Sequence, residues 1–475
     1  MAKLNAINPR SGEADYQVEA TETSAIGPIV KRLRKAQPTW STNVFSRATA
    51  LEEWANAMEA QEATLMQALS GDTGRRLLSR IEVQSMVGRI RYWAQRFPKL
   101  ITPETEKQSR SAANVSYNHQ LVPFAVVGVI SPWNFPLTLS LVDTIPALCA
   151  GSAVLLKPSE ITPRFAAALN QTIEVVPALS EVLEVVLGGA GIGEAVIDNV
   201  DMLCFTGSVE TGRKVAVKAA ENFIPACLEL GGKDPAIVLE DAEIDAAADA
   251  ILRSAAGSCG QACMSIERIY VHQDRFETLC QALVSRSKEL SFNTPDPDKG
   301  CLPPFIDQRQ AHKVTRQLED ALAHGAVLHC GGSPTQINGG YWMAPTVLTN
   351  ISDEMALMHD ETFGPLLPMI SFATDEEALA LANASAFGLS GSVFGSVEHA
   401  KRVAQGLNVG AVGINDASMT ALIHDVEKQS FGLSGLGPSR MGDMGLMRFM
   451  RRKALMIQHD RPMPLSMLDE SALTL

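Results

Sequence analysis

Four times between residues 124 and 212 an apolar run stops at a polar or glycine-rich turn and gives way to a helical pattern. The first run, residues 124–130, is continuous and rich in β-branched side chains. A strand wetted on one face would alternate, so an unbroken run means a strand buried on both faces, as in a parallel sheet. Shorter runs follow at 153–156, 183–187 and 200–205. The intervening turns are Ser131-Pro132-Trp133-Asn134-Phe135-Pro136, Lys157-Pro158-Ser159-Glu160, Gly188 to Gly193, and Thr206-Gly207-Ser208-Val209-Glu210-Thr211-Gly212. Strand–turn–helix repeated in this way predicts a doubly wound α/β sheet. Such sheets bind ligands at the carboxyl ends of their strands, where all four turns lie.

The alternation restarts after Glu229. A strand at 235–239 leads into a helix that Asp241 is expected to cap, with Ile244, Ala248, Ile251, Leu252 and Ala255 on one face. That helix delivers the chain to Ser258-Cys259-Gly260-Gln261-Ala262-Cys263, and further units run to about residue 415, predicting a second α/β domain. Upstream, residues 1–24 are polar with turn signals at Asn8-Pro9 and Ser11-Gly12. Residues 25–97 read as helical, with Trp54, Met58, Leu65 and Leu69 on an apolar face, Arg and Glu on the other, and no chemistry. Residues 109–121 alternate (Val115, Tyr117, His119, Leu121) as an exposed strand does. The tail from Ala454 reads as a strand at a subunit edge.

With 475 residues the chain exceeds what one core supports, so two or three domains are expected. A net charge of −13 with no basic run excludes nucleic acid as a partner. Eight cysteines at irregular spacing make no disulfide framework and point to a reducing compartment. The N-terminus lacks the apolar core of a signal peptide, and no apolar run reaches membrane-spanning length. A cytoplasmic protein without membrane contact is expected.

Among the turns, Gly189-x-Gly191-x-Gly193 departs from the G-x-G-x-x-G dinucleotide pattern, and Gly207 with Gly212 is no Walker loop. Gly207-Ser208 still joins a buried strand to a helix, where free N–H groups can meet a phosphate. Lys157 and Glu160 are either solvated charges or the group that binds an adenosine ribose. An acid there suits a free 2′-hydroxyl, so NAD is expected over NADP. Cys259 and Cys263 lack a second ligand pair, so no metal site is expected. A cysteine alone is more often structural. A cysteine hydrolase would need a partner histidine, for which His424 is the nearest approach. Cys263, together with a carboxylate in Leu228-Glu229-Leu230-Gly231-Gly232-Lys233, instead points to covalent catalysis.

These stretches resemble the NAD(P)-dependent aldehyde dehydrogenase superfamily. The resemblance covers nearly the whole chain and rests on seven motifs in family order. They are Pro132-Trp133-Asn134-Phe135-Pro136, Lys157-Pro158-Ser159-Glu160, Phe205-Thr206-Gly207-Ser208, Leu228-Glu229-Leu230-Gly231-Gly232-Lys233, Gly260-Gln261-Ala262-Cys263, Glu361-Thr362-Phe363-Gly364-Pro365 and Gly413-Ile414-Asn415. It implies two doubly wound parallel-sheet domains plus a small bridging β element for assembly into a homodimer or homotetramer. Residues 1–108 and 122–230, with part of 425–452, would bind the dinucleotide. Residues 231–424 would be catalytic, and 109–121 with 453–475 would form the bridging strands.

The resemblance also implies roles. Cys263 matches the nucleophile that forms a thiohemiacetal and then a thioester, Asn134 the oxyanion donor, and Glu229 the base that activates water. Lys157 matches a residue of both the catalytic and the cofactor set. Ser131, Pro132, Trp133, Ser159, Glu160, Gly189, Phe205, Thr206, Gly207, Ser208, Leu230, Gly231, Glu361 and Phe363 match cofactor-binding positions. Glu229 favours hydrolysis to a free acid over transfer to coenzyme A. Phe135, Leu139, Val142, Ala262 and Met264 match the substrate tunnel, joined by Met419, Leu422 and Ile423. All are apolar, without an arginine or lysine among them, so a hydrophobic aldehyde, aromatic or medium-chain aliphatic, is expected over a semialdehyde. A nucleotide-independent cysteine hydrolase and an inactive structural relative are the readings from other classes. The stretch Ser430-Phe431-Gly432-Leu433-Ser434-Gly435 departs from the family's usual glycine-rich pattern and lacks its lysine.

Overall fold

The computed structural model describes residues 3–470. Two sheets organise the chain. In the first, six strands lie in the order Gly435–Leu436, Ala226–Glu229, Met202–Thr206, Val126–Ile130, Ala153–Lys157 and Leu183–Val185. All neighbours pair in parallel except Gly435–Leu436, which runs antiparallel to Ala226–Glu229. Val126–Ile130 and Ala153–Lys157 are buried at every position, as their unbroken apolar character requires. Helices Pro136–Ala150, Ala190–Ile197 and Val209–Glu221 follow the strands predicted to precede them. Chain order does not match strand order, so the sheet reverses direction beside Val126–Ile130, where ligands are expected.

The second sheet has seven strands, with Ile266–His272 and Asp234–Val238 near its middle. Its pairings are parallel except at the outer strand Val327–Cys330. Helix Ile244–Ala256 crosses from Asp234–Val238 to the cysteine loop. Asp241 does not cap it. The N-cap is Glu243, without a side-chain bond, and Asp241 faces Ser396 and His399 instead.

Residues 25–97 are helical as predicted, within four helices that start at Thr23 and end at Leu100. The expected division of faces does not hold for Arg76–Leu100. Glu82 and Arg89 are buried along with Val83, Met86 and Ile90, and Arg75, the N-cap, is also buried. Neighbouring charges and backbone groups, not solvent, receive most of these side chains. The polar N-terminus forms a hairpin, Lys3–Ile7 against Ala14–Glu19, that its turn residues alone foreshadowed. Val115–Pro123 pairs with Met450–Gln458 along nine residues and with the short Lys107–Gln108, a separate three-stranded sheet. Residues 471–475 of the expected bridging element lie outside the described residues.

Candidate active site

A cleft of about 880 Å³ opens at the carboxyl ends of the first sheet. Ser131, Pro132, Trp133, Lys157, Ser159, Glu160, Phe205, Thr206, Gly207 and Ser208 line it. Each belongs to a turn that the strand pattern placed at a strand end, except Phe205, which lies in the strand before one. Two helix starts face the cleft. Ser208 caps Val209–Glu221, its Oγ accepting from the Thr211 N–H at 3.3 Å, and Gly189 is the N-cap of Ala190–Ile197. A side chain at Gly189 would meet nothing within 4 Å, so the space beside it is open. Lys157 Nζ donates to Glu160 Oε2 and to the Pro158 carbonyl, both at 3.2 Å. Glu160, the first of these partners, lies in the cleft. Open helix N-termini and a facing carboxylate suit a dinucleotide: amides for a diphosphate and an acceptor for ribose hydroxyls.

Cys263 follows the helix Ile244–Ala256 through a strained turn. Ser258 and Cys259 both have φ of 56°, and Gly260 has φ of +70°. Two consecutive non-glycine residues in the left-handed region cost energy, and such strain gathers at functional loops. Gly260 packs directly on Gly364: a Cβ there would lie 2.4 Å from its carbonyl carbon. Gln261 pins the turn, its Nε2 donating to the Ser258 carbonyl at 2.8 Å and its Oε1 accepting from the Ile306 N–H at 2.9 Å. Asn134 Nδ2 donates to the Gln261 carbonyl at 3.0 Å, leaving a second amide hydrogen. Arg75 ties the two loops together, bonding the Ser258 hydroxyl and donating to the Asn134 carbonyl at 2.5 Å.

The carboxylate side comes from the end of Ala226–Glu229. Glu229 Oε2 accepts from Ser430 Oγ at 3.0 Å and from Lys428 Nζ at 3.3 Å. Lys428 and Ser430 were not foreseen. The strand-end logic covers neither, because both sit in the segment 425–434 that returns to the first sheet. Lys428 precedes the glycine-rich stretch that lacks the family's lysine. Three residues beyond Glu229, Gly232 meets the cysteine: a Cβ there would lie 2.3 Å from the Cys263 carbonyl oxygen. Desolvation pushes the Cys263 thiol up to about 12; Lys428 opposes this, while Asp234, Glu361 and Glu229 add to it.

Glu361 and Phe363 approach from the second sheet. Glu361 Oε1 accepts from the Gly232 N–H at 3.2 Å, and the Phe363 ring meets Trp133 edge-on at 5.5 Å. Burial first, then Glu267, raises the Glu361 carboxyl to about 7. Glu267 accepts from the amides of Thr362 and Phe363, each at 2.7 Å, and holds Lys233 Nζ at 2.7 Å. Leu230 packs against Gly212 at the start of the neighbouring helix. Of the apolar wall, Phe135, Leu139, Ala262 and Met264 are half-buried and Val142 is buried. Met264 meets the following loop through Ser418 and Thr420.

A strand-end cleft of dinucleotide size, beside a thiol and a carboxylate on facing loops, defines a dinucleotide-dependent enzyme of α/β fold. The chain belongs to the aldehyde dehydrogenase family, whose model matches residues 2–455. It is an NAD(P)-dependent aldehyde dehydrogenase. The 3,6-anhydro-alpha-L-galactose dehydrogenase of Streptomyces coelicolor is 32% identical, over 96% of this chain and 93% of its own. A putative succinate-semialdehyde dehydrogenase (NADP(+)) of Mycolicibacterium smegmatis is 35% identical, over 81% and 75%. Among solved structures, a putative aldehyde dehydrogenase PutA from Anabaena variabilis superposes with a TM-score of 0.95 at 44% identity, covering 98% of this chain and 99% of its own. Betaine aldehyde dehydrogenase from Staphylococcus aureus, solved with NAD+, gives 0.91 at 28% identity over 98% and 96%.

Proposed function

We propose that the chain oxidises an aldehyde to the carboxylic acid with NAD, using Cys263 as nucleophile. The convergence of Cys263, Asn134 and Glu229 carries this reading, through Gly232 against the Cys263 carbonyl and Asn134 on Gln261. The Cys263 thiol loses its proton to solvent, and the thiolate sulfur attacks the aldehyde carbon. The free amide hydrogen of Asn134 and the Cys263 N–H stabilise the oxygen that becomes negative. Glu361, Phe363 and Trp133 would hold the nicotinamide of NAD, which would supply the hydride acceptor needed to take the Cys263 thiohemiacetal to a thioester. Glu229 then takes a proton from water, which attacks the thioester carbon and expels the thiolate. Ser430 and Lys428 hold the Glu229 carboxylate in place until it acts.

Preference for NAD is supported by Glu160, whose carboxylate in the cleft repels a 2′-phosphate. Glu361 and Phe363 are read as the nicotinamide-ribose side, beside Trp133. The half-buried Phe135, Leu139, Ala262 and Met264 support an aldehyde with a hydrophobic body, aromatic or medium-chain aliphatic. Eight free cysteines support a reducing, cytoplasmic setting. No helix among the described residues is long and apolar enough to cross a membrane. Cys263→Ala is expected to abolish NADH production while NAD still binds by calorimetry. Glu229→Gln is expected to release a single burst of NADH and stall at the thioester; normal turnover by this variant overturns the assigned base.

A further inference from the structure

Arg75, Glu82, Arg89 and Arg96 stand seven residues apart. Seven residues make about two helical turns, so the last three share one face of Arg76–Leu100 and Arg75 extends it. Three of the four have partners. Arg75 binds the Asn134 carbonyl, Glu82 Oε2 accepts from the Thr138 N–H at 3.1 Å, and Arg96 Nη2 donates to both oxygens of Asp443 at 2.9 and 2.7 Å.

Arg89 has none. It is 8% exposed, its Nε is buried without a partner, and it makes no hydrogen bond or ion pair among the described residues. Among those residues Asp143 is the one carboxylate near enough to attract it. Both Asp143 oxygens are already taken, by Arg440 at 2.7 Å and by Arg448. Those two cations lie close enough to Arg89 to repel it. A buried charge is normally paired, since an unpaired one carries a desolvation cost of several kcal/mol. Asp143 and Tyr92 attract the guanidinium, but neither makes a hydrogen bond or ion pair with it among the described residues.

Its neighbours say what would. Asp143 adjoins Val142 of the tunnel wall. On the other side lies His424, next to Ile423, whose pKa is lowered by burial and then by Arg89. The guanidinium thus lies near two residues that are each next in sequence to a wall read as the aldehyde tunnel. Arg75 meets Asn134, Glu82 meets Thr138 and Arg89 nears Asp143, so the two helices run in the same direction. Side chains lean towards a helix's N-terminus, which here is the end that holds Asn134 and Cys263.

We propose that Arg89 binds a carboxylate at the far end of the aldehyde substrate, which is therefore an ω-oxo carboxylic acid with an apolar spacer. This rests on the reading of Cys263 and its tunnel given above. A guanidinium pairs with a carboxylate through two parallel hydrogen bonds, which fixes orientation as well as charge. Along the helix, Asp143 stands seven residues, about 10 Å, beyond Pro136, the first helical residue after Asn134. That is more than succinic semialdehyde spans, so the spacer is longer than two methylenes and lies along Leu139 and Val142. The sequence-based expectation of a hydrophobic aldehyde then describes the spacer. The missing clamp sits on a helix read as scaffold.

The test measures kcat/KM for adipic semialdehyde and hexanal, with the parent, Arg89→Met and Arg89→Lys. The parent is expected to prefer the semialdehyde. In Arg89→Met the semialdehyde-to-hexanal ratio is expected to fall roughly thirtyfold, mostly through KM, as for loss of a charged hydrogen bond. Arg89→Lys is expected to recover part of it. Arg89→Met should also melt no lower than the parent, because an unpaired buried charge has been removed. The proposal is overturned if the parent shows no preference, if the ratio is unchanged in Arg89→Met, or if that variant melts well below the parent and loses both substrates. If the parent makes no NADH from any aldehyde, the activity reading fails instead.

Discussion

Lys428 stands where the chemistry of Cys263 is decided. Only a thiolate attacks, and this thiol is held up at about 12 by burial and by three carboxyl groups. Lys428 is the cation that opposes them, and it also grips Glu229. Removing it should raise the thiol pKa further and leave less thiolate at any fixed pH. Without cofactor, alkylation of Cys263 by iodoacetamide is expected to keep climbing above pH 9.0, where an ordinary thiol levels off. In Lys428→Met the rate at neutral pH should fall about tenfold, the equivalent of one pKa unit, and Lys428→Arg should keep most of it. Identical profiles for Lys428→Met and the parent would show that the ammonium does not serve the thiol. At this scale the motif residues were legible, because Cys263, Glu229 and Asn134 sit in short recognisable strings. Lys428 and Arg89 were not, since nothing local marks a lysine in an irregular segment or an arginine in a helix as facing a site.

Between elements, one buried ion pair orders the approach of the second sheet. Lys233, just past the end of the first sheet, is fully buried and bonds Glu267 at 2.7 Å and Thr362 Oγ1 at 2.9 Å. Glu267, on the strand Ile266–His272, spends its oxygens on the amides of Thr362 and Phe363. Phe363 has φ of 56°, and these bonds hold it there. Glu267→Leu leaves the Lys233 ammonium buried and unpaired, which should cost about 3–5 kcal/mol in denaturant unfolding. Adding Lys233→Met should return much of that stability but not the hold on Phe363, so KM for NAD should stay raised in the double variant. If the single variant unfolds like the parent, the pair does not carry this load. Strand ends and following helices could be read from patterning, because burial on both faces leaves a compositional mark. The Lys233–Glu267 pair could not, since the two residues are 34 positions apart and either alone looks like surface charge.

At the scale of the whole molecule, one sheet edge stands out. Met450–Gln458 lies on the outside of its three-stranded sheet with Met456 77% exposed, and Leu465 and Leu468 beyond it are 85% and 81% exposed. An unpaired edge flanked by apolar side chains pairs with another chain unless it is covered, so we infer a homo-oligomer built on this edge. Met456→Lys with Leu468→Asp should shift sedimentation towards the monomer while each subunit still binds NAD; an unchanged oligomer would move the interface elsewhere. The parallel sheets and the turns that line the cleft could be read from the chain alone, and the motif strings carried the resemblance that implies nucleophile, oxyanion donor and base. These follow from periodicity and from contiguous strings, which are local. It took the folded chain to bring Lys428 to Glu229, to set a buried strand carboxylate against the Thr362–Phe363 loop, and to leave Arg89 without a hydrogen-bond partner among the described residues. Those are matters of which charges end up together in a low-dielectric interior, and that is settled by packing between segments far apart in the chain.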